Sequence, residues 1–203
     1  MSPQPEDTRA AEAAEPQPYS AAERAEMLRL AHEAIEAALA GRKPELNPVS
    51  ERLLEPRGAF TTLHLDGQLR GCVGYVYPVK PLCRTVAETA TAAAFNDTRF
   101  KPVTAEEAPR LKAEISVLSP LVPIAAEDIE AGRHGLVVTL GSRRGLLLPQ
   151  VAVEFGWDAQ TFLRETCHKA GLPPDAWERG AVIEAFTAEV FHEEGFVPGQ
   201  TAI

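Results

Sequence analysis

The sequence predicts an α+β fold built on a largely antiparallel sheet with helices. Two observations carry that expectation. Asp66-Gly67 separates two apolar, strand-like runs and is the strongest two-residue signal for a β-hairpin. Helical and strand-like segments are interleaved, yet hairpin spacings dominate over the longer spacings of βαβ units.

Ser20 opens the first helix with Glu23 three residues on. This is a capping box, in which the serine oxygen accepts an orphan amide and the glutamate reaches back. Met27, Leu28, Ala31, Ala34, Ile35, Ala38 and Leu39 then recur at helical spacing, and Gly41 suits the stop. Ala59 to Leu65 reads as a strand and Leu69 to Val76 as its return. With Asp66 and Gly67 as the loop, Leu65 faces Gln68, Leu63 faces Arg70 and Thr61 faces Cys72, so His64 falls on the opposite face from Cys72. Pro81 to Phe95 reads as an alanine-rich helix whose small residues admit a close neighbour. Pro102 prevents its resumption. Thr104 and Glu107 make a second capping box, and Pro109 limits that helix to a turn or two. Leu111 to Ser119, Leu136 to Leu140, Gly145 to Leu148 and Val182 to Phe191 read as strands. Gln150 to Phe155 reads as a short helix. A further helix is capped by Asp158 and ends at Gly171, with Trp157 and Phe162 spaced as a hydrophobic staple.

The 203 residues suffice for one domain with a core of its own. Met1 to Tyr19 is rich in Pro, Glu and Ala and reads as a disordered tail, not a signal peptide. The domain is expected over 20–195, followed by a frayed tail over 196–203. A formal net charge of -9 disfavours nucleic acid and anionic membranes as partners. No run approaches the ~20 apolar residues of a membrane span. Cys72, Cys83 and Cys167 are odd in number and widely spaced, which suits reduced thiols in a cytoplasmic setting better than a disulfide framework. No cysteine, histidine or carboxylate run has metal-ligand spacing, and no cofactor is expected.

Leu69-Arg70-Gly71-Cys72-Val73-Gly74 resembles the LRGCIG signature of the AMMECR family. AAFNDTRF (93–100), AEISVLSP (113–120), GRHGLVV, GLLLPQVAVEFGW and HKAGLPPDAW resemble its other blocks, in family order, from about Glu23 to Phe191. Val73, Tyr75, Asn96 and Thr98 depart from the family pattern. The resemblance implies a two-part fold, with a larger sheet domain, a smaller second lobe and the LRGCVG segment near the groove between them. It also implies association with Memo-type and radical-SAM proteins, beside or fused to which relatives occur. It implies a fold more than a reaction.

Within those blocks the residues suited to chemistry can be named. Cys72 lies between Gly71 and Gly74, beside Arg70 on the same strand face. A guanidinium there would favour the thiolate, whereas burial would make the thiol an inert core residue. His134, in a loop, is the best placed of five histidines to serve as its base. Asp97 and Arg99 either line a polar pocket, with Arg99 holding an anion, or lock a helix terminus. Glu114 is a general base with a raised pKa, or the structural partner of Arg70 or Arg99. Gln150 orients a ligand carbonyl or caps its helix. Lys169 is accounted for by its helix dipole. Together Arg70, Cys72, Asp97, Arg99 and Gln150 are expected to converge on one pocket that takes a small polar or anionic molecule. The alternative is a non-catalytic module for a peptide or partner protein.

Overall fold

Ser20 caps the first helix as its spacing requires. Its Oγ accepts the Glu23 amide, and the Glu23 carboxylate accepts the Ser20 amide at 2.8 Å. The helix, α1 (Ala21–Leu39), buries Met27, Leu30, Ala31 and Ile35. This computed structural model describes residues 17–193, so residues 1–16 of the tail expected over 1–19, and the tail expected over 196–203, lie outside the described residues. Tyr19, expected in the tail, is instead only 7% exposed and belongs to the first core, with Arg52 over its ring at 4.3 Å.

The hairpin forms as β1 (Ala59–Leu65) and β2 (Gln68–Tyr75), with Asp66 and Gly67 both at positive φ, the two-residue turn that suits strand twist. Its register differs from the expected one. Leu65 pairs with Gln68 and His64 with Leu69, but Leu63 pairs with Gly71 and Thr62 with Cys72. Arg70 is thus the extra residue of a β-bulge. A one-residue slip exchanges strand faces, so His64 shares the face of Cys72. The reason lies outside the hairpin. Helix α2 (Leu82–Phe95) crosses β2 so closely that a Cβ on Gly71 would stand 2.1 Å from the Ala93 carbonyl oxygen. Gly71 must therefore face the helix, which turns Cys72 away from it.

Strand β3 (Leu111–Leu118) and the later β8 (Ala188–His192) complete an antiparallel sheet of order β2-β1-β3-β8, with α1 and α2 on one face. The second lobe has a core of its own. Its sheet, of order β4-β7-β5-β6, uses β4 (Val122–Pro123), β5 (Gly135–Leu140), β6 (Arg143–Leu147) and β7 (Val182–Phe186). Helices α3 (Pro149–Phe155) and α4 (Ala159–Lys169) pack on it through Val151, Ala152, Phe162, Leu163 and Cys167. Asp158 caps α4 by accepting the Thr161 amide at 2.7 Å, and Trp157 stacks on Phe155.

The expected last strand, Val182 to Phe191, is two strands in two sheets, broken at Thr187. The chain leaves the first lobe at Ser119 and returns at Thr187. The two crossings are tied together: the Ser119 amide donates to the Thr187 carbonyl and the Thr187 amide to Ser119 Oγ, both at 2.9 Å. Among the described residues, no helix is long and apolar enough to cross a membrane.

Candidate functional site

The face of the first sheet turned from its helices meets the second lobe, and there the structure holds a cavity of about 500 Å³. Phe60 and Thr62 of β1, Cys72 and Val73 of β2 and Glu114 of β3 form one wall. The segment after α2 brings Asp97 and Arg99. Leu146 to Leu148, Gln150 and Lys169 come from the second lobe. Five of the residues singled out in the sequence thus share one space: Cys72, Asp97, Arg99, Glu114 and Gln150.

Arg70 and His134 are not in its wall. The bulge sends Arg70 to Glu107, which accepts from Nε at 3.2 Å and from Nη2 at 2.9 Å. The Glu107 carboxylate also takes the Thr104 amide, as its capping box requires. The expected influence of Arg70 on Cys72 is therefore replaced by that of Arg99. His134 Nδ1 accepts the Glu130 amide at 3.1 Å, so the ring closes its own turn, and burial pushes its pKa down.

The strand registers place Cys72, Thr62, Glu114 and His192 side by side across all four strands of the first sheet. Thr62 Oγ1 donates to Cys72 Sγ at 3.2 Å. Burial pushes the Cys72 thiol up, against the Thr62 hydrogen bond and the positive charge of Arg99. The resting group is a thiol, not the thiolate that a neighbouring guanidinium had suggested. The flanking glycines are occupied by packing: Gly71 by the Ala93 carbonyl and Gly74 by the Phe60 ring, 2.2 Å from where a Cβ would stand.

Asp97 organises the rim. Its carboxylate accepts Arg99 Nε at 3.0 Å and Nη2 at 2.8 Å, and also the Cys72 amide at 2.9 Å. Arg99 chiefly, with the Cys72 and Arg99 amides adding to it, brings the Asp97 pKa down to about 2. The helix-terminal lock and the pocket wall are therefore one structure: Asp97 is 6% exposed, while Arg99, at 43%, keeps a face to solvent.

Glu114 pairs with neither expected arginine, since Glu107 engages Arg70 and Asp97 engages Arg99. Burial raises its pKa, only partly opposed by His192, so Glu114 ionises less readily than an ordinary carboxyl. A raised folded value means that protonation stabilises the fold. This contribution is complete below the ordinary value of 4.5 and is lost as pH rises through the folded value. Glu114→Gln, permanently neutral, is therefore expected to raise the melting temperature near neutral pH, with an advantage that shrinks as pH falls through the raised folded value and is gone by about 4.5. A variant less stable than the parent at neutral pH would show Glu114 to be charged and held by a partner.

Gln150 does not cap α3, whose start at Leu148 and Pro149 has no side-chain cap. Lys169, which the helix dipole alone had explained, lines the cavity and is exposed. Thr62 was also missed, because only the bulged register brings it opposite Cys72. Among the described residues no group of three or more His, Cys, Asp or Glu is arranged to hold a metal.

Two antiparallel α+β lobes around a cavity edged by an LRGC-type strand define a recognisable class of protein. The AMMECR1 family model matches residues 28–191. A protein of Methanothermobacter thermautotrophicus is 44% identical over 188 residues, covering 88% of this chain and 98% of that one. Protein MK0488 of Methanopyrus kandleri is 46% identical over 180 residues, covering 83% and 87%. The crystal structure of the uncharacterized protein PH0010 from Pyrococcus horikoshii aligns with a TM-score of 0.78 at 42% identity, covering 85% of this chain and 91% of that one. The chain belongs to the AMMECR1 family.

Proposed function

We propose that this chain binds a small molecule with an anionic group in the cavity between its lobes and acts there as an enzyme or enzyme component through Cys72. The observation that supports this most is the gathering of unlike groups in one mostly apolar space. Arg99 and Lys169 line it and are exposed, and the Cys72 thiol, the Glu114 carboxyl and the Gln150 amide share the same wall. Such a wall suits a ligand with a charged end, held by the cations, and a less polar body with a group for Gln150 and Glu114 to hydrogen-bond. Asp97 is a positioning residue, since it fixes the guanidinium of Arg99. Cys72 would reach the ligand as a thiol, so proton loss has to accompany its reaction rather than precede it.

Metabolite capture from a cell extract, read by mass spectrometry, tests this. An anionic small molecule is expected on the parent protein and on Cys72→Ala. On Arg99→Ala it should be reduced by about tenfold or more, as expected when a charge-assisted hydrogen bond is lost. Timed iodoacetamide labelling of the native protein should modify Cys72 before Cys83 and Cys167, which are 3% and 0% exposed, and bound ligand should protect it. Capture of nothing anionic, or equal capture by Arg99→Ala, would sink the reading.

One observation favours a second reading, a non-catalytic module or accessory to a partner such as a Memo-type or radical-SAM protein. Val153, 69% exposed, and Phe155, 52% exposed, lie on α3 beside Trp157 and form an apolar surface on the second lobe. Under this reading Phe155→Asp would abolish partner binding while ligand capture persists.

A further inference from the structure

A second cleft, of about 400 Å³, lies where the chain crosses between lobes and shares no wall residue with the first. Leu118, Ser119, Thr187 and Ala188, at and beside the paired crossings, form part of it. Its charge is unlike that of the chain as a whole. Of the 20 basic residues in a protein of net charge -9, Arg24, Arg52, Arg57 and Arg133 surround this one space. The first three belong to the first lobe, and Arg133 precedes β5 in the second.

The arginines are held, not loose. Arg52 donates to the carbonyls of Pro18 and Gln17 at 3.2 and 2.6 Å while lying over Tyr19. Arg24 donates to Glu189 at 2.9 Å. Arg57 and Arg133 each meet a carboxylate at 2.8 Å, but those partners, Glu55 and Glu130, are 48% and 58% exposed. Ion pairs of that kind contribute little and exchange readily for a better acceptor. Phosphate-type oxygens match the planar fork of a guanidinium, and an incoming anion would compete with the acceptors these arginines already have.

We propose that this cleft binds a compact phosphate-type anion, held between Arg57 of the first lobe and Arg133 of the second. The site is independent of the inter-lobe cavity, and a bound anion would span the crossing. Isothermal titration of the full chain with inorganic pyrophosphate at low ionic strength tests it. The parent is expected to show one saturable site. Arg57→Gln and Arg133→Gln should each weaken it by about tenfold or more, the cost of one charge-assisted hydrogen bond. Arg179→Gln, at an exposed pair elsewhere, and Arg99→Ala, in the other cavity, should leave it unchanged. Circular dichroism and urea midpoints establish that the variants are folded. Should Arg57→Gln fail to fold, Arg133→Gln carries the test, because that arginine is 48% exposed. The proposal is overturned by the absence of a saturable site, by equal affinity in Arg133→Gln, or by loss of binding in Arg99→Ala. It is overturned equally if citrate binds as tightly as pyrophosphate, since the cleft would then read charge alone.

Discussion

Gly71→Ala is expected to cost about 3 kcal/mol in urea unfolding, near the top of the range for overpacked interiors. An added Cβ would lie 2.1 Å from the Ala93 oxygen and 3.0 Å from its carbonyl carbon. Both belong to backbone, so no side chain can rotate to make room. Helix α2 is also packed against α1, with Leu82, Val86 and Ala90 fully buried, so it cannot lift away without opening the first core. The displacement would reach the cavity, because Asp97 follows the end of α2 and grips the Cys72 amide. A cost below about 1 kcal/mol would mean that the strand and helix separate easily, and the bulge would need another explanation.

Asp97→Ala is expected to cost about 2–3 kcal/mol near neutral pH, in line with a carboxyl pKa moved from 3.8 to about 2 at roughly 1.4 kcal/mol per unit. The folded value lies below the ordinary one. The contribution is therefore present above 3.8 and is lost as pH falls through about 2. Urea midpoints of parent and variant should converge over that window. A difference that persists undiminished at the acid end would show that the shape of the side chain, not its charge, holds the Cys72 amide and Arg99. Arg99→Ala should cost less, because Arg99 is largely exposed and Asp97 keeps two backbone donors.

The features legible in the sequence were those fixed by neighbours in the chain. The Ser20 and Thr104 capping boxes, the Asp66-Gly67 turn and the Asp158 cap each depend on residues a few positions apart, and each formed. The bulge at Arg70 was not legible, because its cause is the carbonyl of Ala93, which only folding brings beside Gly71. Nor was the break at Thr187. Val182 to Phe191 reads as one strand, and its division depends on Ser119, far away in sequence. The same distinction holds at the cavity. Cys72, Asp97, Arg99, Glu114 and Gln150 stood in blocks a family resemblance marks. Arg70, assigned by adjacency to Cys72, went to Glu107, while Thr62 was hidden by the bulged register and Lys169 by a local explanation at its helix end.

The paired crossings at Ser119 and Thr187 also bear on the order of assembly as the chain leaves the ribosome. Residues 120–186, the second lobe, are contiguous and supply all but a few residues of the second core, which Leu118, Phe60, Val76 and Ala188 of the first lobe complete. The first lobe is not contiguous. Its sheet lacks β8 until His192 has been made, and until then the outer edge of β3 has no strand beside it. The part synthesised first is thus the part finished last. In the finished fold the Thr187–Ser119 hydrogen bonds hold the start of β8 at the edge of β3.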